Sequence, residues 1–332
     1  KKETPNQSSG SKGLNPWYIS NIIERKICST EETTGSILCN YRDITYKSIT
    51  SSSLRNLYNS STFNTDYRYV TVSYGGDNFE GGGEEYEYII HQDAGGYLIK
   101  GNYIDSHPRD NSGWSNGLLK KKTIFRKDIA NYITIKEAQN FYVRDTRIDD
   151  IVYGFSIKKN FDLTCTYSSP NVLNIENLDV MESRYKVHWH YLSQTIEKQY
   201  DSDGLNPIIT TTNYFYDNPN HLQQTRTEVI NSKGEVLKTE TKYAHDVNNT
   251  RLINEHRIAE PIEVKTYKGT NLLNHQRTIY DSSHNTSNLY LPNKIQIAKE
   301  GQILEDRIIY HTYNDKGNPV EVSKKDGTHI VY

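Results

Sequence analysis

The clearest hydrophobic pattern in this chain has a period of two. In Tyr67–Tyr74 the side chains of Tyr67, Tyr69, Thr71 and Ser73 share one face, and Val70, Val72 and Tyr74 share the other. Further strand-like runs are Ile22–Cys28, Ile37–Ile49, Tyr86–His91, Tyr97–Ile104, Lys120–Arg126, Tyr132–Lys136, Phe141–Arg147 and Tyr153–Lys158. Gly75–Gly83 holds too many glycines for a regular strand and reads as a loop using positive φ. Ser51–Asn64 is a polar loop region, and Asn116-Gly117 is a turn signal. Only 170–183 is expected to hold a short helix. Residues 1–16, rich in Gly, Ser and Pro, are expected to be a flexible lead-in. The pattern divides the rest into an irregular β-rich region at 17–165, a connector at 166–183 and a repetitive region at 184–332.

The repetition is visible in the residues. Tyr200-Asp201-Ser202-Asp203-Gly204-Leu205-Asn206-Pro207 parallels Tyr313-Asn314-Asp315-Lys316-Gly317-Asn318-Pro319, and Tyr216-Asp217 and Tyr280-Asp281 are looser copies. Pro261, Pro292 and Pro319 each precede a similar strand. Hairpin tips are expected at Asn231–Gly234, Lys268–Asn271, Lys299–Gln302 and Lys324–Gly327. A strand–turn–strand unit of this kind cannot bury its own face, so neighbours must stack. Tyr suits such a stack, because its ring covers a neighbouring strand while its hydroxyl reaches a polar partner.

Composition supports an all-β, antiparallel fold. The 332 residues include 27 Tyr but only 6 Ala and 1 Met, the reverse of a helical bundle. The net charge is −2, with 39 basic and 41 acidic residues interspersed, so no basic stripe marks a nucleic-acid partner. No apolar run is long enough for a membrane span. The chain starts at Lys1 without Met and stops at Tyr332 inside a strand-like pattern, so it is expected to be a segment of a longer polypeptide. Cys28 and Cys39 lie nearly symmetrically about an expected hairpin tip, where a cross-strand disulfide or two separate buried thiols would fit. Cys165 reads as a core residue.

Candidate chemistry is sparse. Asp77, Asn78, Glu80 and Glu84, with Glu85, put hard oxygen ligands on the glycine loop and could hold Ca²⁺, the alternative being a wide turn whose carboxylates face water. His188-Trp189-His190 puts two imidazoles on one strand face, which suits either a shared metal or two exposed His flanking a buried Trp; the second is expected. Asp201–Gly204 resembles the start of a Ca²⁺ loop without its downstream Glu and reads as the repeat turn. Asp149-Asp150 and Glu84-Glu85 point to opposite strand faces. Trp17, Trp114 and Trp189 are expected to be core or capping residues rather than sugar platforms. No nucleophile elbow, zinc-protease, dinucleotide or Cys-x-x-Cys motif is present.

The repeats resemble the YD-repeat, or rearrangement-hotspot (Rhs), family, whose consensus is Tyr-Asp, then Gly, then a strand, a polar turn and an aromatic strand. Tyr200-Asp201 with Gly204, and Tyr313 with Asp315 and Gly317, carry the match, while Tyr216-Asp217 and Tyr280-Asp281 match without the Gly. The family's Arg-Leu after the Gly is replaced by Leu205-Asn206-Pro207 and Asn318-Pro319. The stretch from Ser73 to Gly83 and Trp114–Gly117 is similar to the region before such repeats in bacterial surface proteins exported by the type IX route. The resemblance implies a secreted or cell-surface protein whose hairpins form a continuous curved sheet, a shell often built around a C-terminal toxin. Its implied partners are the rest of its own longer chain, a C-terminal effector and a secretion translocon, with no cofactor beyond the candidate calcium. The family's Asp-Pro self-cleavage segment is absent, which would make this a mid-shell piece. The expected function is a non-catalytic structural segment, acting as a shell component or carried as cargo of an export machine. The competing classes are a β-rich adhesin or carbohydrate-binding module, and a glycan-active hydrolase, which needs two carboxyls roughly 5–10 Å apart in a cleft.

Overall fold

The computed structural model describes residues 8–12, 15–33, 36–55, 65–129, 131–159, 178–284, 287–325 and 327–332, with backbone only for 11–12, 21–33 and 36–44. Its regular secondary structure is nearly all strand, and the assigned pairings are antiparallel. The strands are β1 (Gly10–Lys12), β2 (Ile19–Thr33), β3 (Ser36–Ile49), β4 (Thr65–Tyr67), β5 (Tyr69–Ser73), β6 (Gly83–Tyr88), β7 (Tyr97–Lys100), β8 (Leu119–Asp128), β9 (Asn131–Lys159) and β10 (Leu178–Gln199). They continue as β11 (Ile208–Phe215), β12 (Arg226–Ile230), β13 (Val236–Lys242), β14 (Glu263–Lys268), β15 (Asn271–Asp281), β16 (Leu291–Lys299), β17 (Glu305–Tyr313), β18 (Pro319–Lys324) and β19 (His329–Val331).

Two compact units emerge, and they interleave along the chain. Unit 1 comprises 1–74, 83–122 and 144–190; unit 2 comprises 75–82, 123–143 and 191–332. The strands β8, β9 and β10 contribute residues to both.

In unit 2 the strands from β11 onward form a meander in which each pairs with the next in sequence. Its apolar centre is Ala244, Leu252 and Ile262, against which Ile253, Tyr280 and Tyr290 pack. A short helix, α1 (Thr250–Asn254), lies where the sequence pattern shows none. The Asn249 side chain caps it by accepting the Leu252 N–H, and Leu252 is fully buried.

In unit 1 the β2–β3 ribbon is regular except for a shift between Ile27 and Ser29. That shift puts Cys39 opposite Thr30, with Cys28 at the irregularity, so the two cysteines are not directly opposed across the ribbon as the symmetric spacing suggests. β5 and β6 form a hairpin, and β7 pairs with the start of β10. β7 ends earlier than the hydrophobic pattern suggests, because Gly101 turns the chain with φ 79°. The runs Tyr132–Lys136, Phe141–Arg147 and Tyr153–Lys158 are one long strand, β9. The expected helix at 170–183 is corrected where the structure describes it: 178–183 is strand, held by pairing with β7. The rest of that stretch, and Cys165, lie outside the described residues.

Candidate functional site

The repeat turns of unit 2 share one hydrogen-bonding scheme. Asp201 Oδ1 accepts the N–H groups of Asp203 and Leu205 at 3.1 and 2.7 Å. Asn231 Oδ1 accepts those of Lys233 and Glu235 at 3.0 and 2.9 Å. Asn314 Oδ1 accepts those of Lys316 and Asn318, both at 3.0 Å. The glycine three residues on donates back to the capping residue's carbonyl in each case, and Gly204, Gly234 and Gly317 have φ of 75°, 76° and 81°. The backbone donors hold the Asp201 carboxyl below its usual range, Leu205 N–H first. Sequence reasoning names Asp315 with Tyr313 and Gly317 as residues of this turn. The structure gives the capping role to Asn314, because the capping oxygen must stand three residues before the glycine to reach both amides. Asn231, first read as an ordinary hairpin tip, belongs to the same set.

A second regularity is a set of tyrosines at the ends of alternate strands β11, β13, β15 and β17, which run in the same direction. Tyr216 packs on Tyr191 with ring centroids 4.7 Å apart. The hydroxyls of Tyr243, Tyr280 and Tyr313 donate to Gln224 O (3.0 Å), Glu260 Oε2 (2.9 Å) and Pro292 O (2.6 Å). Burial pushes all four phenols up in pKa. Sequence reasoning missed Tyr243, because Ala244-His245 follows it. Its carboxylate stands later, at Asp246, which accepts the Tyr243 N–H at 2.8 Å. The looser copies behave differently: Asp217 accepts Thr225 Oγ1, and Asp281 caps Ser282 and Ser283. Tyr200, at the start of the first turn, donates its N–H to Ile135 O.

Beside α1 lies an open cleft of about 600 Å³, lined by Val247–Arg251, Ile262, Glu263, Arg277–Tyr280 and Tyr290. Among the described residues, Glu263 is the one carboxylate in its lining. That carboxylate meets His275 at 2.6 Å, Lys265 at 3.3 Å and Lys242 at 3.5 Å. Although burial opposes its charge, these neighbours hold its pKa below the usual value. On the far wall Arg251 reaches Glu255 and Asn288 O and lies over the Tyr290 ring.

The other candidate groups are dispersed. Asp77, Asn78 and Glu80 belong to unit 2, where Lys127 Nζ donates to Asn78 O at 2.7 Å and so brings a cation to the loop. Glu80 is held below its usual pKa by backbone hydrogen bonding first, with the Asn78 side chain and Lys127 helping. Glu84, in unit 1, is engaged by the Tyr86 hydroxyl and by Lys122 at 3.0 Å. Among the described residues no three His, Cys, Asp or Glu side chains converge with metal-ligand spacing.

The expectation of exposed histidines beside a buried tryptophan is not met in unit 1, where all three residues are partly buried. The His188 side chain is 8% exposed and bonds Asp149 through Nδ1 at 2.9 Å, while Arg144 holds the same carboxylate. His190 packs 4.6 Å from Trp114, and its Nδ1 is buried with no hydrogen-bond partner among the described residues. Burial first, then the charges of Arg144 and His188, push its pKa down. Trp114 and Trp189 are half-buried; Trp17 is 43% exposed, with the Arg55 guanidinium 4.8 Å from its ring. Asp150 accepts the Ile151 N–H instead of joining Asp149.

Among the described residues no helix is long and apolar enough to cross a membrane. Compared with protein-family models and with curated proteins, this chain matches none.

Proposed function

We propose that this chain is a non-catalytic structural segment of a large, secreted YD-repeat shell on the bacterial surface or in a toxin-delivery particle. The observation that supports this reading is the recurrence, in unit 2, of one Asp/Asn-x-x-Gly turn at Asp201, Asn231 and Asn314. It is accompanied by buried and half-buried tyrosines at the ends of alternate strands. A meander repeated in this way extends by adding hairpins, each covering the face its neighbour leaves open. Its buried hydroxyls go to fixed acceptors, an arrangement suited to rigidity. Partners on this reading are the rest of the same chain, a C-terminal effector and the export machine that carries the protein out by the type IX route.

The test is intact mass and peptide mapping of the protein isolated from culture medium and cell surface. The expected result is a mass far above 38.4 kDa, with peptides running past Lys1 and Tyr332. A free 38.4 kDa product confined to the cell interior overturns the reading.

A further inference from the structure

We propose that the unit 2 cleft beside α1 binds a polyhydroxylated monocarboxylate, the chemistry shared by the uronic-acid units of an acidic glycan and by free sugar acids. The proposal is independent of the shell reading.

The argument starts from Arg277. It stands on β15 at the cleft, exposed, and its side chain makes no ion pair or hydrogen bond among the described residues. The obvious partner is Glu263, directly opposite in the β14–β15 register. That carboxylate is turned to His275, Lys265 and Lys242 instead. A guanidinium is thus left open on a cleft wall, with its planar fork of donors available to one carboxylate.

The remaining lining sets the rest of the ligand. Exposed Asn248 and Thr250 offer an amide and a hydroxyl, groups that match sugar hydroxyls. Tyr290 supplies an aromatic wall, fixed by the Asn249 amide at 3.3 Å and by Arg251 over its ring at 4.8 Å. Glu263 keeps one negative charge at the cleft, which disfavours dianions such as phosphate monoesters. A volume of about 600 Å³ suits a ligand of one to three sugar units, within the roughly 300–1,000 Å³ of small-molecule sites.

The experiment is calorimetric titration of the intact chain with α-1,4-linked trigalacturonate, gluconate and neutral maltotriose. At least one acid is expected to bind, with maltotriose weaker by about tenfold or more. Saturation by trigalacturonate alone identifies a glycan as the source; saturation by gluconate alone identifies a free sugar acid. Arg277→Gln is expected to weaken the acid by about tenfold or more, and Arg277→Lys by less, because it keeps the charge and loses the fork. Arg307→Gln, at an exposed residue paired with Glu305, is the charge-matched control and should leave binding unchanged. Equal melting temperatures for wild type and variants establish that they fold. No acid binding up to about 10 mM, equal affinity for maltotriose, or an unchanged Arg277→Gln affinity each overturns the proposal.

Discussion

The buried side chains of unit 2 and unit 1 differ in kind. Among the described residues, those of unit 2 are mainly Phe125, Tyr243, Ala244, Leu252, Ile262, Ala298 and Tyr313, with Thr123, His221 and Ser323; those of unit 1 include Ile90 and Met181 but also His107, Asp110, Ser115, Asp145, Asp179 and Ser183. Unit 2 is held by the removal of apolar and aromatic surface from water, with phenol hydroxyls satisfied at its margins. The described part of unit 1 adds hydrogen bonds from backbone amides and an arginine side chain to buried carboxylates. Asp110 accepts the Arg184 N–H, Asp179 accepts the Asn102 N–H, and both bonds are 2.7 Å. Asp145 holds Arg147 through both oxygens. An apolar cluster tolerates small rearrangements, since any close contact serves. A buried carboxylate needs its particular donor, because an unpaired polar group inside is costly.

Mutations that remove buried groups should separate the two cases most clearly. Leu252→Ala is expected to cost about 3 kcal/mol in denaturant unfolding, the usual scale for a fully buried leucine. Asp110→Ala should cost less, about 2 kcal/mol, mostly from the orphaned Arg184 amide. Hydrogen exchange would sharpen the contrast. Asp110→Ala should speed exchange at Arg184 and its unit 1 neighbours, and a uniform loss across both units would refute this localisation.

The turns provide a smaller effect. Asn314→Ala removes two backbone caps and should cost about 1 kcal/mol, whereas Asp315→Ala should stay within about 0.5 kcal/mol. Equal melting temperatures for the two variants would return the role to neither residue.

The smallest expected effect is a pH dependence peculiar to unit 1. Burial holds the folded pKa of His190 below the 6.5 of a free imidazole. Below about pH 6.5 the unfolded chain binds the proton more readily than the folded one. Stability contributed by unit 1 should therefore fall as pH drops through that value and level off once the folded pKa is passed. Trp114 fluorescence, next to His190, reports it. His190→Phe should flatten the slope, while a slope of the same size in that variant would assign it elsewhere.

Some of this was legible from the residues. The turn glycines and the Asx residues before them act over four or five positions, so Tyr200–Gly204 and Tyr313–Gly317 could be read directly. That Asn314 caps the second turn took the structure to decide, since both side chains in that run can cap. Tyr243 escaped because its carboxylate partner lies later in the sequence than the Tyr-Asp pattern allows. The polar interior of unit 1 left no local sign, since Asp110 and Asp179 look like ordinary loop acids until Arg184 and Asn102 are brought to them.

By itself, then, the sequence determined the all-β class and the positions of its turns. Alternation, β-branched and aromatic content, and Gly-φ freedom are local properties. Only the tertiary structure decided the rest: that Glu84 pairs with Lys122 and Tyr86, that Glu263 turns away from Arg277, and that His188 and His190 pack inward against Trp114. Each of these depends on which distant strands the meander and loops bring together. The charge and burial of a side chain are set by those neighbours, not by its own place in the chain.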